Sequence, residues 1–496
     1  MLKRTSLFIA SMLVLGLNLS AHRGAESVSK SDKVSSPKMR SGENNPLLDF
    51  NFNADPTSVE YEGRLYVYGT NDHQQYDSVV GTDAKNNTYE KIKSLVMMST
   101  DDMVNWTYHG LIDVGKISPW IMNSWAPSIA KRVEKDGKTH FYLYYSDSGR
   151  GVGVLTATSP VGPWSDPLGK DIVEQSTPGL GHCPAPFDPG VVIDDSGTGW
   201  LSFGGGAGDS DYMPGTNRIA KLGDDMISFD SEFVKIDAPY FFEASELNFI
   251  NGTWVYTYNT NWVDRKEWHF DVDKPTTCSM CYFTTKTPLV RESWKFRHNY
   301  LKNPGDYGFD WGNNHTHLQK YKGKWYIIYH NMMLQDSFNT KLGVRSICID
   351  EISVNEDSVD IKMGEMTRKG VEQLHPLNPY IRQQAETVAA TEGVDFVNSD
   401  IPGNMYVRPA DGECVTLVRG AGFDKSPKKF KALVSGKGEI EVRKGTPDGT
   451  LISAVKFDND TLKPVSANLV SKPEGVTDIC FVVKGDSVLF DEWTFE

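Results

Sequence analysis

Four ionisable residues stand at nearly one distance ahead of a glycine: Asp55 lies 8 residues before Gly63, Asp188 9 before Gly197, Glu243 9 before Gly252 and His315 8 before Gly323. A carboxylate beside an apolar run such as Val191 to Ile193 is costly to bury unless something requires it there. Two Asp and one Glu facing a shared cleft repel when all are ionised, which raises at least one pKa and divides the group into acid and base. Cleavage of a glycosidic bond needs that division: one carboxylic acid protonates the leaving oxygen while another carboxylate activates water or attacks directly. Taken singly, an Asp before Pro is ordinarily a turn or cap residue. The shared register is what sets these residues apart, and it places His315 in the same channel, where it could orient a carboxylate or a metal-bound water. Asp194 and Asp195, beside Ser196-Gly197, read as turn chemistry.

The elements that must position these groups come from an internal repeat. Five times a turn glycine precedes a strand rich in aromatic and β-branched residues: EGRLYVYGTND at Gly63, DGKTHFYLYYSDSG at Gly137, SGTGWLSFGGG at Gly197, NGTWVYTYNTN at Gly252 and KGKWYIIYHN at Gly323. Each reads as a hairpin whose turn uses a residue tolerant of positive φ. Five repeated all-β units suit a five-bladed β-propeller, with about four short strands per blade. If the strand entering each hairpin is innermost, the first, third, fourth and fifth blades direct Asp55, Asp188, Glu243 and His315 to one end of the axis. The second blade offers Trp125 at 12 residues before Gly137. The competing arrangement is a sandwich with coincidental hairpins.

The rest of the chain narrows the partners. Residues 1–21 carry Lys3 and Arg4, an apolar run from Leu7 to Leu19 and a small-residue cleavage context, and read as a secretory signal peptide. Residues 22–44 read as a flexible polar leader, and a periplasmic or extracellular home is expected. The apolar run is too short for a membrane anchor. The formal charge of -14 argues against nucleic acid and anionic membranes and favours a neutral substrate. Six cysteines are too few for a disulfide-built scaffold, and Cys278-Ser279-Met280-Cys281 reads as a structural or locally bridged pair rather than a metal or redox motif. Eleven of the twelve tryptophans precede residue 326. Their faces can stack on sugars, although packing a core is the commoner use.

The ordered segments NPLLDFNFNADPTSVEYEGRLYVYGTND, STDDMVNWTYHG, NSWAPSIAKR, FDPGVVIDDSGTGWLSFGGG, FFEASELNFINGTWVYTYN, WGNNHTHLQKYKGKWYIIYH and GVRS resemble glycoside hydrolase family 43. The resemblance implies a five-bladed propeller over residues 45–378 that hydrolyses arabinose- or xylose-containing glycans with inversion. It implies Asp55 as general base, Asp188 as pKa modulator and orienter, and Glu243, directly after Phe241-Phe242, as general acid, with Glu246 as competitor for that role. It also implies Trp125 and Arg345 as substrate contacts, joined by Asp72 and Phe187, and His315 near a structural calcium, held through water. No organic cofactor is expected, and the chain is expected to be a monomer. The pattern is similar to members that remove α-L-arabinofuranosyl branches from arabinoxylan, a plant cell-wall polysaccharide. Such members tend to carry Trp-Leu before Phe-Asp-Pro, whereas this chain has Ala185-Pro186, so a β-xylosidase or arabinan-cleaving activity stays open.

After the connector HPLNPYIRQQAETVA, short alternating runs over residues 383–496 suggest a β-sandwich of jelly-roll type. Gln384-Ala385-Glu386 and Phe490 to Phe495 resemble the opening and closing motifs of carbohydrate-binding module family 6. By that resemblance Glu386 and Asp491 match calcium ligands, though two oxygens fall short of the six to eight that calcium takes. With Trp493 as its one tryptophan, the domain either binds glycan or braces the propeller. The alternative to an enzyme is a non-catalytic glycan-binding propeller, or a protein-interaction propeller with apolar rim patches.

Overall fold

The computed structural model describes residues 36–206 and 211–496; the expected signal peptide and most of the expected leader lie outside them. Five antiparallel sheets make the propeller. The first blade comprises β1 (Ala54–Tyr61), β2 (Arg64–Thr70), β3 (Leu95–Thr100) and β4 (Trp106–Ile112), and the second β5 (Trp125–Val133), β6 (Thr139–Asp147), β7 (Gly151–Ala157) and β8 (Val173–Glu174). The third has β9 (Gly190–Ile193), β10 (Gly199–Gly204) and β11 (Asn217–Lys221), and the fourth β12 (Phe241–Ile250), β13 (Thr253–Thr260), β14 (Met280–Thr285) and β15 (Lys295–Leu301). The fifth is β16 (Thr316–Tyr321), β17 (Lys324–Asn331) and β18 (Ser346–Glu351).

The five turn glycines behave as their spacing requires. Gly63, Gly137, Gly197, Gly252 and Gly323 all have φ between 71° and 85°. In the first, fourth and fifth blades the preceding residue, Glu62, Asn251 or Lys322, also has positive φ, so both central turn residues are left-handed, matching the twist of the flanking strands. Alternation along the hairpin strands then builds the core. On β2, Leu65 and Val67 pack with Tyr326, Ile328 and Ile347 of the fifth blade, while Tyr68 faces Ile129, Phe141 and Leu143 of the second. Similar apolar layers separate the second and third blades, the third and fourth and the fourth and fifth. A period of two therefore buries both faces of every blade, and burial of apolar area is the main force closing the ring.

The first and last parts of the propeller meet. Leu47 N donates to Ile347 O at 2.8 Å and Asn53 N to Arg345 O at 2.9 Å, and the Asn53 and Asn45 side chains accept from the amides of Ile347 and Ile349. Residues 45–53 thus lie beside β18. The described end of the expected flexible leader is packed: Met39 is buried among Val415, Leu417 and Val482, and Arg419 donates to Glu43 O and Asn44 Oδ1.

Residues beyond 383 form one large antiparallel sheet folded as the expected sandwich. It is braced directly on the first blade. Thr387 and Val388 pair with Thr107 and Trp106 of β4, Asn105 exchanges two 2.8 Å hydrogen bonds with the Arg419 backbone, and Phe50, Tyr108 and Phe396 pack ring against ring. Trp493 is buried in the sandwich core, where it can offer no face to a sugar.

Candidate active site

The innermost strands β1, β5, β9 and β12 share a feature not read from the sequence. Asp55, Ala126, Asp188 and Ala244 have φ of 50°, 37°, 49° and 60°, and in the first, second and fourth blades the pairing register shifts there. Positive φ is rare for residues with a Cβ and marks strain held by its surroundings. In the first and third blades the strained residue is itself the carboxylate. In the fourth it is Ala244, so Glu243 projects from one position earlier.

The surroundings of Asp55 hold it in place. Arg345 Nη1 donates to Oδ1 at 2.7 Å and Thr70 Oγ1 to Oδ2 at 2.7 Å. Thr70 also accepts from Ala126 N at 2.8 Å, tying the first two blades together. Asp55 N lies 3.1 Å from His330 Nδ1, and His330 Nε2 is 3.1 Å from Asn313 O. Burial would raise the Asp55 pKa, but Arg345, then His330 and His315, outweigh it and hold the carboxyl well below the usual range. Asp55 is an ionised carboxylate.

Asp188 and Glu243 are biased the other way. Asp188 N donates to Ser146 Oγ and Asp188 Oδ2 accepts from Ala244 N, both at 2.8 Å. Burial, then the charges of Glu243 and Asp55, push Asp188 well above an ordinary aspartate. Glu243, 8% exposed, is pushed up to about 7 by burial and then by the charge of Asp55, with Arg345 and the side chains of Asn313 and Asn259 opposing part of the rise. Burial keeps Glu243 protonated, as expected, and the charge of Asp55 adds to it; Asp188 and Glu243 repel each other, and Asp188 also holds the backbone of Ala244. The three carboxyls share one neighbourhood but differ in protonation.

Arg345 and Asp72, both expected to touch substrate, are paired with each other, and Arg345 is also paired with Asp55. Arg345 is 3% exposed; its Nε and Nη2 donate to the two oxygens of Asp72 at 2.9 and 2.8 Å, and its backbone N donates to Asp72 at 3.0 Å. Asp72 is fully buried at the start of α1 (Asp72–Val79), and Asn87 also donates to it. Three of the five guanidinium N–H groups are thereby committed to two carboxylates. Trp125 and Phe187 remain half-buried. The Trp125 indole donates to Tyr89 O at 3.1 Å, and Tyr89 lies over the Arg345 guanidinium.

Glu246, the competitor for the acid role, is buried one layer deeper, 3.3 Å from both His317 Nδ1 and Ser128 Oγ. Gly190 allows that layer to close, since a Cβ there would lie 2.4 Å from Glu246 Cα. His315 Nδ1 is 3.6 Å from Asp55 Oδ1. Burial pushes its ring down to about 4, and Nε2 is buried without a partner, a neutral nitrogen suited to a water or a hydrated cation. Among the described residues no three or more His, Cys, Asp or Glu converge as a metal cluster. In the second domain, Glu386 Oε2 and Gln384 Oε1 are buried without partners, and Asp491 Oδ1 accepts from Asn404 at 3.0 Å. That oxygen-only set fits a hard cation completed by backbone or water oxygens. The six cysteines are free and buried, so Cys278 and Cys281 are not bridged. Sequence reasoning missed Thr70, Tyr89, His330 and Asn313, whose types and spacing carry no signal apart from the folded ring.

The model of glycosyl hydrolases family 43 matches residues 44–359. An arabinoxylan arabinofuranohydrolase of Bacillus subtilis (strain 168) is 36% identical over 488 residues, 92% of each chain. Another, from Paenibacillus polymyxa, is 34% identical over 485 residues, 92% of this chain and 74% of the relative. The crystal structure of a family 43 arabinoxylan arabinofuranohydrolase from Bacillus subtilis, in complex with cellotetraose, superposes with a TM-score of 0.84 at 34% identity, covering 93% of this chain and 99% of the other. The chain belongs to glycoside hydrolase family 43, and it is a glycosidase.

Proposed function

We propose that the chain is an exported α-L-arabinofuranosidase that removes arabinofuranosyl side chains from arabinoxylan with inversion. The observation that carries the mechanism is the unequal protonation of two buried carboxyls, Asp55 held ionised by Arg345 and Glu243 pushed up to about 7. Asp55 takes a proton from water as the water oxygen attacks the anomeric carbon. The bond from that carbon to the leaving oxygen breaks, and the leaving oxygen keeps the electron pair and receives the Glu243 proton. The anomeric configuration inverts, and the proton on Asp55 returns to Glu243 through solvent. Attack by water in one step requires base and acid about 6.5 to 9.5 Å apart.

The substrate assignment is drawn from the two arabinoxylan arabinofuranohydrolases that this chain parallels over 92% of its length. Calcium, where bound, would neutralise charge in the channel through water on His315, and in the second domain would be held by Glu386 and Asp491. The test is incubation with wheat arabinoxylan, linear arabinan and xylo-oligosaccharides, with the released sugar identified and its first-formed anomer read by proton NMR. Release of β-arabinofuranose from arabinoxylan alone supports the reading. Xylose from xylo-oligosaccharides, arabinose from linear arabinan, or a retained anomer overturns it.

A further inference from the structure

Glu246 is a buried ionisable group that the proposed mechanism does not use, 1% exposed and on the same strand as Glu243. The register of that strand runs from Glu243 opposite Asn259 to Glu246 opposite Thr257, so three steps on β12 match two on β13. The extra residue makes a bulge, a device that re-aims the side chain beside it. Ala244, in its left-handed conformation, lies inside the bulge, and Glu243 and Glu246 are the two ends. Asp188 grips the Glu243 end through Ala244 N at 2.8 Å.

The other end is held by the Glu246 side chain itself. Its Oε1 accepts from Ser128 Oγ at 3.3 Å and lies 3.3 Å from His317 Nδ1, and its Oε2 accepts from Leu247 N at 3.2 Å. Each partner is tied in turn to another blade. Ser128 Oγ accepts from Val191 N at 3.0 Å, and the next amide, Ile129 N, donates to Thr57 Oγ1 at 3.2 Å. Two residues past His317, Gln319 accepts from Ser58 Oγ at 3.0 Å. These bonds join all five blades, and Glu246 is where the fourth meets the second and the fifth.

We propose that Glu246 is a positioning residue: it anchors the foot of the β12 bulge to this ring of hydrogen bonds and thereby sets the aim of Glu243. The proposal rests on Glu243 being the acid. With both oxygens engaged by protein groups, Glu246 acts through its neighbour on the strand and not on substrate. A reacting group misplaced by about 1 Å loses up to about 10²-fold in rate.

The test is a double-mutant cycle of Glu246→Ala and Glu243→Ala, with kcat and KM measured on arabinoxylan and Tm followed alongside. Glu246→Ala alone should lower kcat about 10- to 100-fold and leave KM nearly unchanged, because the acid acts in the transition state. In the Glu243→Ala background the same substitution should cost less than about 2-fold, since the aim of an absent acid no longer matters. Glu246→Gln, which keeps an acceptor for Ser128, should recover part of kcat. Where Glu246→Ala does not fold, Ser128→Ala removes one partner and no charge, and its smaller loss of kcat should vanish in the Glu243→Ala background in the same way. Equal losses in both backgrounds, a loss carried by KM, or an unchanged kcat would overturn the positioning role. Near-normal kcat in Glu243→Ala would instead overturn the acid assignment and the proposal with it, and wild-type protein inert toward arabinoxylan would overturn the functional reading.

Discussion

Asp188 Oδ2 accepts the backbone N–H of Ala244 at 2.8 Å. The carboxyl thereby grips the peptide directly after Glu243, at a residue held in a left-handed conformation, and sets where the acid points.

Asparagine keeps an acceptor of the same shape at position 188, so Asp188→Asn should lose less kcat than Asp188→Ala. The alanine variant is expected to fall by about 10²- to 10⁴-fold, the range of a misplaced acid–base group, and the asparagine variant to recover at least ten-fold of that by the same scale. Equal loss in both would show that the charge of Asp188 matters and its grip on Ala244 does not. Steady-state kinetics on arabinoxylan decides between them.

Removing the guanidinium should free the base. In Arg345→Met, burial of Asp55 is no longer outweighed, so its pKa rises and the acid limb of the kcat/KM profile moves to higher pH. The partner Asp72 would be left as a buried unpaired charge, destabilising by about 3–5 kcal/mol, so Arg345→Met is best combined with Asp72→Asn. A profile of the double variant with an unmoved acid limb would refute the role of Arg345.

Activity should decline as pH rises through about 7, where Glu243 loses its proton. Stability follows the same group. A carboxyl whose folded pKa exceeds its unfolded value binds its proton more tightly when folded, so its contribution is complete below the unfolded value and is lost as pH rises through about 7. Glu243→Gln should therefore raise Tm relative to wild type at pH 8, with the difference closing toward pH 4. Calorimetry at the two pH values checks the sign.

The two halves should melt together. A strand pair, the Asn105–Arg419 exchange and the Phe50–Tyr108–Phe396 cluster cross between them. Asn105→Ala leaves the Arg419 N–H and C=O without that partner and should cost about 1–3 kcal/mol, lowering one shared transition. Two separated transitions in wild-type protein would refute the coupling.

The ring was legible because a period of two and five turn glycines follow directly from strand geometry. Asp55, Asp188 and Glu243 were legible because their distance from those glycines survives folding. Arg345 and Asp72 were placed in the right neighbourhood, but their ion pair and the clamp of Arg345 on Asp55 carry no mark in the sequence, since paired side chains nearly three hundred residues apart meet only in the closed ring. The left-handed bulges were illegible because Asp-Pro and Ala-Pro ordinarily favour extended backbone before the proline. The packing of Met39 could not be read from polar flanking residues.

The seam beside β18 bears on how the chain reaches this shape. Asn53, synthesised early, accepts from Ile347, 294 positions later, so Arg345 cannot clamp Asp55 until the last blade has emerged. The proposed base, Asp55, is thus clamped only by the final act of ring formation: a chain truncated before Arg345 carries every hairpin yet lacks the clamp, and acquisition of activity should report the slow, long-range step of folding.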